Sequence, residues 1–238
     1  MLTVPWKLDA RSLVVRCLSS DHALGAVRDA VRDGATVMVG GFGLVGQPLG
    51  LVAALAQSGR AGLTIISNNI GEPGRGLGAL LRAGQIRRVV GSFFTSNPEV
   101  AQAYERGDLE VTLLPQGTLS EAIRCGGAGI PAFYTPAGVG TLLAEGRPVA
   151  HFDGRDYLLE RSLRADVALV RAHRADRHGN LTYRKTARNF NPMMASAAGH
   201  VIAEVDEIVD EFDDPDVIVT PHLYVDTVVL AEGGTDER

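Results

Sequence analysis

The chain has 238 residues, a net charge of −5 and 28 glycines. That length allows one large domain or two small ones. Hydrophobic residues make up 45% of the chain and the mean hydropathy is +0.07, which excludes wholesale disorder. The acidic balance argues against a nucleic-acid-binding domain, which usually carries a basic face. Glycine, at about 12% against an average near 7%, indicates special backbone positions in turns or near a ligand.

Two cysteines, Cys17 and Cys125, are too few for a disulfide framework or a metal cluster, which favours the reducing cytoplasm. No apolar run approaches the roughly 18 residues of a membrane span, so no membrane association is expected. We predict a leader, at most partly ordered, over 1–19, a single domain over 20–231 and a flexible tail over 232–238.

Helices and strands alternate from about residue 20. The predicted helices cover 22–32, 48–58, 96–106 and 118–125, and the predicted strands cover 36–40, 63–67, 86–93 and 109–114. Capping boxes at 96–99 and 118–121 are expected to open two of the helices. Because the strands are apolar without alternation, the pattern predicts an α/β fold with an open, mainly parallel sheet and helices on both faces.

The pattern changes after about residue 147. Two short strands at 149–152 and 157–159 flank Asp153-Gly154, a good hairpin turn. Further strands are predicted over 167–172 and 201–205. Since no hydrophilic linker separates the two styles, we expect one continuous sheet with an antiparallel portion.

Residues 41–46 read Gly-Phe-Gly-Leu-Val-Gly, a G-x-G-x-x-G between a strand and a helix. A dinucleotide site also needs an acidic residue about 20 positions on. Asn68 and Asn69 stand there instead, and Glu72 lies out in the next loop. This disfavours a nucleotide-dependent oxidoreductase. We favour a loop that presents backbone N–H groups to a ligand, with a turn that binds nothing as the alternative.

Amide side chains follow several predicted strands. Asn68, Asn69 and Gln116 stand at strand carboxyl ends, which converge on one edge of a parallel sheet. Amides there can bind a carbonyl or carboxylate without titrating, or they can satisfy loop backbone. The spacing leaves both roles open.

Five segments, in chain order, form a specific combination: 33–48, 67–69, 114–119, 124–129 and 179–192. Together they resemble the α (A) subunit of family I 3-oxoacid CoA-transferases. The resemblance spans about residues 20–230, and the first twenty residues fall outside it.

The resemblance implies the CoA-transferase type of α/β fold and ping-pong transfer of coenzyme A. A glutamate attacks the acyl-CoA to give an anhydride and then a glutamyl-CoA thioester. That glutamate belongs to a Ser-Glu-Asn-Gly motif of the β (B) subunit, and this chain lacks the motif. The resemblance therefore implies activity only with the β subunit, in an α2β2 heterotetramer, with CoA thioesters as substrates and no permanently bound cofactor.

The implied acceptor is a 3-oxoacid such as acetoacetate, and the implied donor is succinyl-CoA or acetyl-CoA. The α subunit of a 3-oxoadipate CoA-transferase is the alternative within this class. A sugar-phosphate isomerase or ligand sensor on a related fold would need acid–base residues or a DNA-binding appendage, and neither pattern is present.

The resemblance also assigns site residues. The coenzyme A loop comprises Gly40, Gly41, Phe42, Gly43, Leu44, Val45 and Gly46. The backbone amide of Gln116 supplies one donor of the oxyanion hole. The acyl pocket comprises Asn68, Asn69, Gly127, Ala128 and Gly129. No metal site is expected.

A basic stretch contains Arg184, Lys185 and Arg188. It can contact CoA phosphates or a dicarboxylate through forked donors, or it can be an anchor in which Arg188 and Asn189 bind loop carbonyls. We favour the anchor. His173 and His178 are interpreted as ordinary surface or hairpin residues, and Cys125 as a packed thiol.

Overall fold

A computed structural model of the protein describes residues 15–236. Its strands are β1 (Arg16–Leu18), β2 (Thr36–Val39), β3 (Leu63–Ile66), β4 (Ile86–Gly91), β5 (Glu110–Leu113), β6 (Ala132–Thr135), β7 (Val149–Phe152), β8 (Arg155–Arg161), β9 (Ala165–Arg171), β10 (Arg174–Asp176), β11 (Leu181–Thr182), β12 (Ala198–Val209) and β13 (Thr227–Asp236).

The α-helices are α1 (Ala23–Ala30), α2 (Leu49–Ser58), α3 (Leu77–Arg82), α4 (Pro98–Glu105), α5 (Gln116–Ala128) and α6 (Asn191–Ser196). Among residues 15–236, none of them has the length and apolar character needed to cross a bilayer.

The main sheet is mostly parallel, as predicted. Its strands follow the order β1-β13-β12-β9-β2-β3-β4-β5, and every neighbouring pair in that order is parallel. Strand β10 adds to β12 in parallel and pairs antiparallel with β11. The order runs outward from β2 to β5 on one side and from β9 to β13 on the other. The direction therefore reverses between β2 and β9.

Helices cover both faces of this sheet. Helices α1 to α4 contribute to one apolar cluster, and α5 and α6 contribute to the other. Strand β2 shows why its sequence is apolar throughout: Val37 and Val39 enter the first cluster, Met38 enters the second, and all three are fully buried. A strand buried on both faces cannot alternate polar with apolar residues.

The predicted antiparallel portion of the main sheet is present as the β10–β11 pair, but the expectation of one continuous sheet is wrong for the strands over 132–161. Strands β6, β8 and β7 form a separate three-stranded sheet. The predicted hairpin at Asp153-Gly154 is confirmed, and both residues have positive φ angles (47° and 77°), as a type I′ turn requires. Burial alternates along the end of β8, where Leu158 and Glu160 are buried. Such a strand suits a sheet covered on one face rather than a two-sided parallel core.

Ordered strands extend beyond both ends of the predicted 20–231 domain. The end of the predicted leader is ordered, because Arg16–Leu18 pairs in parallel with β13 at the sheet edge. Residues 1–14 and 237–238 lie outside the described residues. The flexible tail is wrong over 232–236, since Thr235 and Asp236 pair with Glu207 and Ile208 of β12. Polar side chains suggested fraying there, but backbone hydrogen bonding to β12 does not depend on side-chain polarity.

Neither predicted capping box forms. Asn97, not Ser96, caps α4, and its Oδ1 accepts a hydrogen bond from the Glu99 amide at 3.1 Å. Helix α5 already begins at Gln116, so Thr118 lies within its first turn and is buried there. Pro115 precedes α5 in an extended conformation, and the helix begins two residues before its predicted start at 118.

Deleting residues 232–238 will lower the free energy of unfolding by about 1–2 kcal/mol, because the deletion removes paired backbone from β13. Urea denaturation followed by circular dichroism measures the change, with a chain that ends at Asp236 as the control. An unchanged midpoint in the shorter variant would show that these residues behave as a tail.

Candidate active site

The loops at the carboxyl ends of β2, β3, β4, β5 and β9 share one edge of the main sheet. In open α/β sheets, ligands bind outside the carboxyl ends of the strands, in the crevice where the strand order reverses. Here the reversal lies between β2 and β9. The loop that follows β2 contains the G-x-G-x-x-G sequence, so the fold places this loop at the crevice.

The glycine loop after β2 forms a tight hairpin. Phe42 and Val45 exchange two backbone hydrogen bonds of 3.0 and 3.2 Å, and their side chains are exposed (56% and 54%). Three glycines in the loop have positive φ angles, which side chains would oppose: Gly41 (126°), Gly43 (61°) and Gly46 (69°). The glycines therefore shape the loop as well as clearing space around it.

Asn189 anchors this loop. Its Oδ1 accepts a hydrogen bond from the Gly41 amide at 3.1 Å, and its Nδ2 donates to the Val45 carbonyl at 3.0 Å. The anchor role predicted for the basic stretch is therefore confirmed for Asn189, which binds a loop carbonyl.

Asn191 is a second anchor, which our sequence interpretation missed. Its Nδ2 donates to the Gly46 carbonyl at 3.0 Å, and its Oδ1 accepts from the Arg171 amide at 2.8 Å. The side chain is fully buried. A Cβ atom on Gly40 would lie 1.8 Å from its Oδ1, so Gly40 is needed for this contact. The Asn-x-Asn spacing of the two anchors is the signal that could have revealed it.

Some backbone amides of the loop remain open. Those of Gly40, Gly41, Phe42 and Val45 donate within the protein. Within the described chain, no acceptor is bound by the amides of Gly43, Leu44 and Gly46. A ligand at this loop can therefore bind the backbone amides of three of its seven residues.

A carboxylate fills the N-terminus of α2, directly after the loop. Oε2 of Glu204 accepts a hydrogen bond from the Leu51 amide at 2.8 Å, and Arg171 pairs with the other oxygen. Burial raises the pKa of Glu204, and Arg171 and the α2 amides act in the opposite direction. In dinucleotide-binding folds a pyrophosphate occupies this helix end. The occupied position explains why the G-x-G-x-x-G sequence does not form such a site here.

Three polar side chains meet at the ends of β3, β4 and β5. Nδ2 of Asn68 donates to Oγ of Ser92 at 3.0 Å and to Oε1 of Gln116 at 2.8 Å. Ser92 also donates to Oε1 of Gln116. The structure brings Asn68 and Gln116 together as predicted and adds Ser92. Its position directly after β4 was the signal that could have revealed it.

The N-terminus of α5 presents unpaired donors beside these side chains. Gln116 is the exposed first residue of α5, and its amide and that of Gly117 bind no acceptor in the described chain. Oγ1 of Thr118 is buried and also lacks a partner. Such a helix end carries partial positive charge and can stabilise a negatively charged oxygen.

The loop after β3 has the same hairpin shape as the loop after β2. Glu72 and Arg75 exchange backbone hydrogen bonds of 3.3 and 3.0 Å and form an exposed ion pair. Oδ1 of Asn69 accepts from an amide two residues later at 3.1 Å, so this side chain stabilises the loop. The two loops touch, because a Cβ atom on Gly76 would lie 2.1 Å from Oε1 of Gln47.

The structure does not bring Gly127, Ala128 and Gly129 to this edge. They end α5, whose C-cap is Gly129, and eleven residues separate Gly127 from Gln116. At 1.5 Å per residue that is roughly 16 Å. A Cβ atom on Gly127 would lie 2.2 Å from Oγ of Ser196, so this glycine allows close helix packing. The prediction ended the helix at 125 and therefore placed these residues in a loop.

The remaining candidates behave as structural residues. Cys125 is buried, and burial raises the pKa of its thiol, in agreement with a packed role. Nδ1 of His173 lies 3.0 Å from Oδ2 of Asp206. In the described part of the chain, no group of three or more histidine, cysteine or acidic residues could hold a metal ion.

Comparison with known proteins identifies the family of this chain. The family model described as coenzyme A transferase matches residues 21–231. This chain belongs to the coenzyme A transferase family. The transferase chain is 53% identical over 209 residues to the A subunit of succinyl-CoA:3-ketoacid coenzyme A transferase from Xanthomonas campestris pv. campestris (strain B100), a match that covers 87% of this chain and 86% of that protein.

Two further coenzyme A transferases are similar to it. The A subunit of 3-oxoadipate CoA-transferase from Pseudomonas putida is 48% identical over 215 residues, covering 89% of this chain and 93% of that protein. The acyl-CoA transferase YdiF of Escherichia coli O157:H7, solved as a thioester complex with CoA, has a TM-score of 0.81 at 24% identity over 92% of this chain and 48% of YdiF. YdiF therefore shares the fold, and this transferase chain spans about half its length.

Replacing Gly40 by Ala will destabilise the transferase chain by about 1–3 kcal/mol, since the new methyl group overlaps the buried Asn191 side chain. Gly25→Ala is the matched control. No atom lies within 4 Å of its added Cβ, and alanine in α1 should stabilise the protein by about 0.5 kcal/mol. Urea denaturation measures both variants, and equal midpoints would contradict the proposed contact.

Proposed function

We propose that this chain is the α subunit of a heteromeric 3-oxoacid CoA-transferase. It transfers CoA from succinyl-CoA or acetyl-CoA to a 3-oxoacid such as acetoacetate, on a glutamate supplied by the β subunit. The observation that carries this proposal is the unpaired Gln116 amide at the start of α5, next to Asn68 and Ser92. The high identity to one chain of a succinyl-CoA:3-ketoacid transferase supports the substrate class. A cytoplasmic location and an α2β2 assembly remain predictions.

The reaction needs hydrogen-bond donors that stabilise negative charge on the carbonyl oxygen. The partner's carboxylate attacks the thioester carbonyl, the C–S bond breaks and an acyl anhydride forms as CoA thiolate leaves. The thiolate then attacks the glutamyl carbonyl of the anhydride and releases the donor acid, leaving glutamyl-CoA. The acceptor carboxylate reverses these steps. Each attack places negative charge on the carbonyl oxygen, which preorganised N–H donors stabilise. We assign one of these donors to Gln116.

The loop over residues 40–46 suits the pantetheine arm of CoA. The three open amides can bind its carbonyl oxygens, and the exposed Phe42 and Val45 side chains offer apolar contact to its methylene groups. We retain Asn68 in the acyl pocket. Asn69 serves the loop after β3, and the 127–129 segment lies away from this edge, so both are left out of the pocket.

Two glutamates of this chain near this edge, Glu72 and Glu204, are already paired, which favours a nucleophile from another chain. Glu72 forms an ion pair with Arg75, and Glu204 is buried and pairs with Arg171 beneath α2. Both therefore have structural partners. These pairings agree with a nucleophilic glutamate supplied by the β subunit, and the names of the related chains, which are themselves single subunits, also support a partner.

Intact-mass analysis of the complex tests this division of roles. The chain is co-expressed with the β subunit, and succinyl-CoA is added without an acceptor acid. We expect a CoA adduct on the β subunit, because the acylated glutamate is captured by CoA thiolate, and no adduct on this chain. An adduct on this chain, or transfer by this chain alone, would overturn the proposal.

A panel of acceptor acids distinguishes the second candidate. The 48% identity to one chain of a 3-oxoadipate CoA-transferase favours that substrate as the alternative. A higher kcat/KM for 3-oxoadipate than for acetoacetate would select it.

Gln116→Pro will reduce kcat by about 100-fold or more, because proline lacks the N–H that binds the oxyanion. The variant should fold, since proline is favoured at the first position of a helix, and the preceding residue is already extended (φ −53°, ψ 143°).

Gln116→Ala is the control. It removes the side chain bonded to Asn68 and Ser92 but keeps the amide, so a milder loss is expected. The ratio of the two kcat values reports the amide alone. Equal turnover of the two folded variants would refute its role.

A further inference from the structure

A basic turn lies against the glycine loop after β2. We use this name for Arg184, Lys185 and Arg188, which follow β11. The carbonyl of Ala187, within the turn, accepts a hydrogen bond from Nδ2 of Asn191 at 3.0 Å. A Cβ atom on Gly46 would lie 2.3 Å from this carbonyl oxygen. The turn and the loop therefore have a fixed relative position.

The three cations of the basic turn are exposed and form no ion pair within the described chain. Arginines on nearby strands behave differently: Arg171 pairs with Glu204 and Asp206, and Arg174 pairs with Glu207. In a protein with a net charge of −5, an uncompensated basic cluster of this kind is available to an external anion.

The backbone of the turn is held in an uncommon conformation. Lys185 and Asn189 have positive φ angles (52° and 23°), which are costly for residues with side chains. The hydrogen bonds of Asn189 to the loop stabilise this geometry. The cations are therefore presented at defined positions rather than on a freely moving segment.

The basic turn borders the crevice at the β2–β9 reversal. A groove beside the turn, where β9 ends next to β12, is lined by Arg171, His173, Tyr183, Arg184, Ala187 and Asp206. Burial raises the pKa of the Tyr183 hydroxyl, and the charge of Arg188 acts in the opposite direction. The turn thus stands at the position where open α/β sheets bind ligands.

The distance along the sheet edge indicates which anion fits. Four strand spacings separate β9 from β5, or roughly 19 Å. The proposed oxyanion donor Gln116 follows β5, and the glycine loop lies between the two ends. A CoA thioester has its reacting carbonyl at one end of a long arm and its phosphates at the other.

We propose that the basic turn binds the nucleotide phosphates of the CoA thioester, an inference that rests on the proposed function. Arg184 and Arg188 donate forked hydrogen bonds to phosphate oxygens, and Lys185 adds a positive charge. Under this proposal both interpretations of the segment apply, to different residues: Asn189 anchors the loop, and the basic side chains bind the ligand.

Binding of CoA and of pantetheine to the complex of the α and β subunits tests the proposal. Pantetheine has the same arm without phosphates. In the double variant Arg184→Ala/Arg188→Ala, isothermal titration calorimetry should show affinity for CoA reduced tenfold or more, because charged hydrogen bonds are lost. Affinity for pantetheine should stay unchanged. Arg28→Ala is the matched control, since Arg28 is exposed on α1 and its replacement removes one charge elsewhere.

Other outcomes overturn the assignment. Unchanged CoA affinity, or equal loss for CoA and pantetheine, would show that the turn does not bind phosphate. Weaker association with the β subunit in native mass spectrometry, with CoA affinity unchanged, would identify an intersubunit contact instead. Arg184→Gln/Arg188→Gln repeats the measurement should the alanine variant be unstable. These readouts need no turnover, so a wild-type complex that binds CoA but transfers it to no 3-oxoacid would refute only the proposed function.

Discussion

The buried side chain of Asn191 joins the two halves of the main sheet at the point where the strand order reverses. It donates to the loop after β2 and to the basic turn, and it accepts from the end of β9. A buried amide must satisfy its hydrogen-bonding groups or lose several kcal/mol of stability. These three segments therefore have one mutual arrangement. The glycine loop, whose shape depends on positive φ angles, is held in place by this side chain and by Asn189.

Two helix N-termini then determine the chemistry of the edge. Helix α2 follows the glycine loop after β2, α5 begins soon after β5, and each offers partial positive charge at its N-terminus. In α2 that charge is used internally by the carboxylate of Glu204. In α5 the first amides are unpaired and lie beside Asn68 and Ser92. A negatively charged oxygen of a ligand therefore finds unpaired amide donors at the N-terminus of α5. The N-terminus of α2, after the G-x-G-x-x-G sequence, already binds Glu204. In the proposed function, the loop therefore binds the arm of the ligand and α5 faces its reacting end.

Much of the fold follows from patterns that act over short distances. Apolar runs predict the core strands, and Asp153-Gly154 predicts its hairpin, because these signals depend on neighbouring residues alone. The errors involve longer-range effects. The β6–β8 sheet separates from the main sheet because its strands are covered on one face, and residues 232–236 are ordered because β12 offers them backbone partners. Helix α5 extends to Ala128 because small residues at its end allow α6 to pack closely.

The sequence by itself determined the class of fold, the glycine-dependent loop, the resemblance to the α subunits of CoA-transferases and the absence of the glutamate motif from this chain. Only the tertiary structure decided which residues share the site. It added Ser92 to Asn68 and Gln116 and separated Gly127 from them. It also placed Glu204 at the N-terminus of α2, the position that a pyrophosphate occupies in dinucleotide-binding folds. The physical reason is that backbone propensities act over a few residues. Contacts such as Asn191 with Gly46 depend on the order in which distant strands assemble.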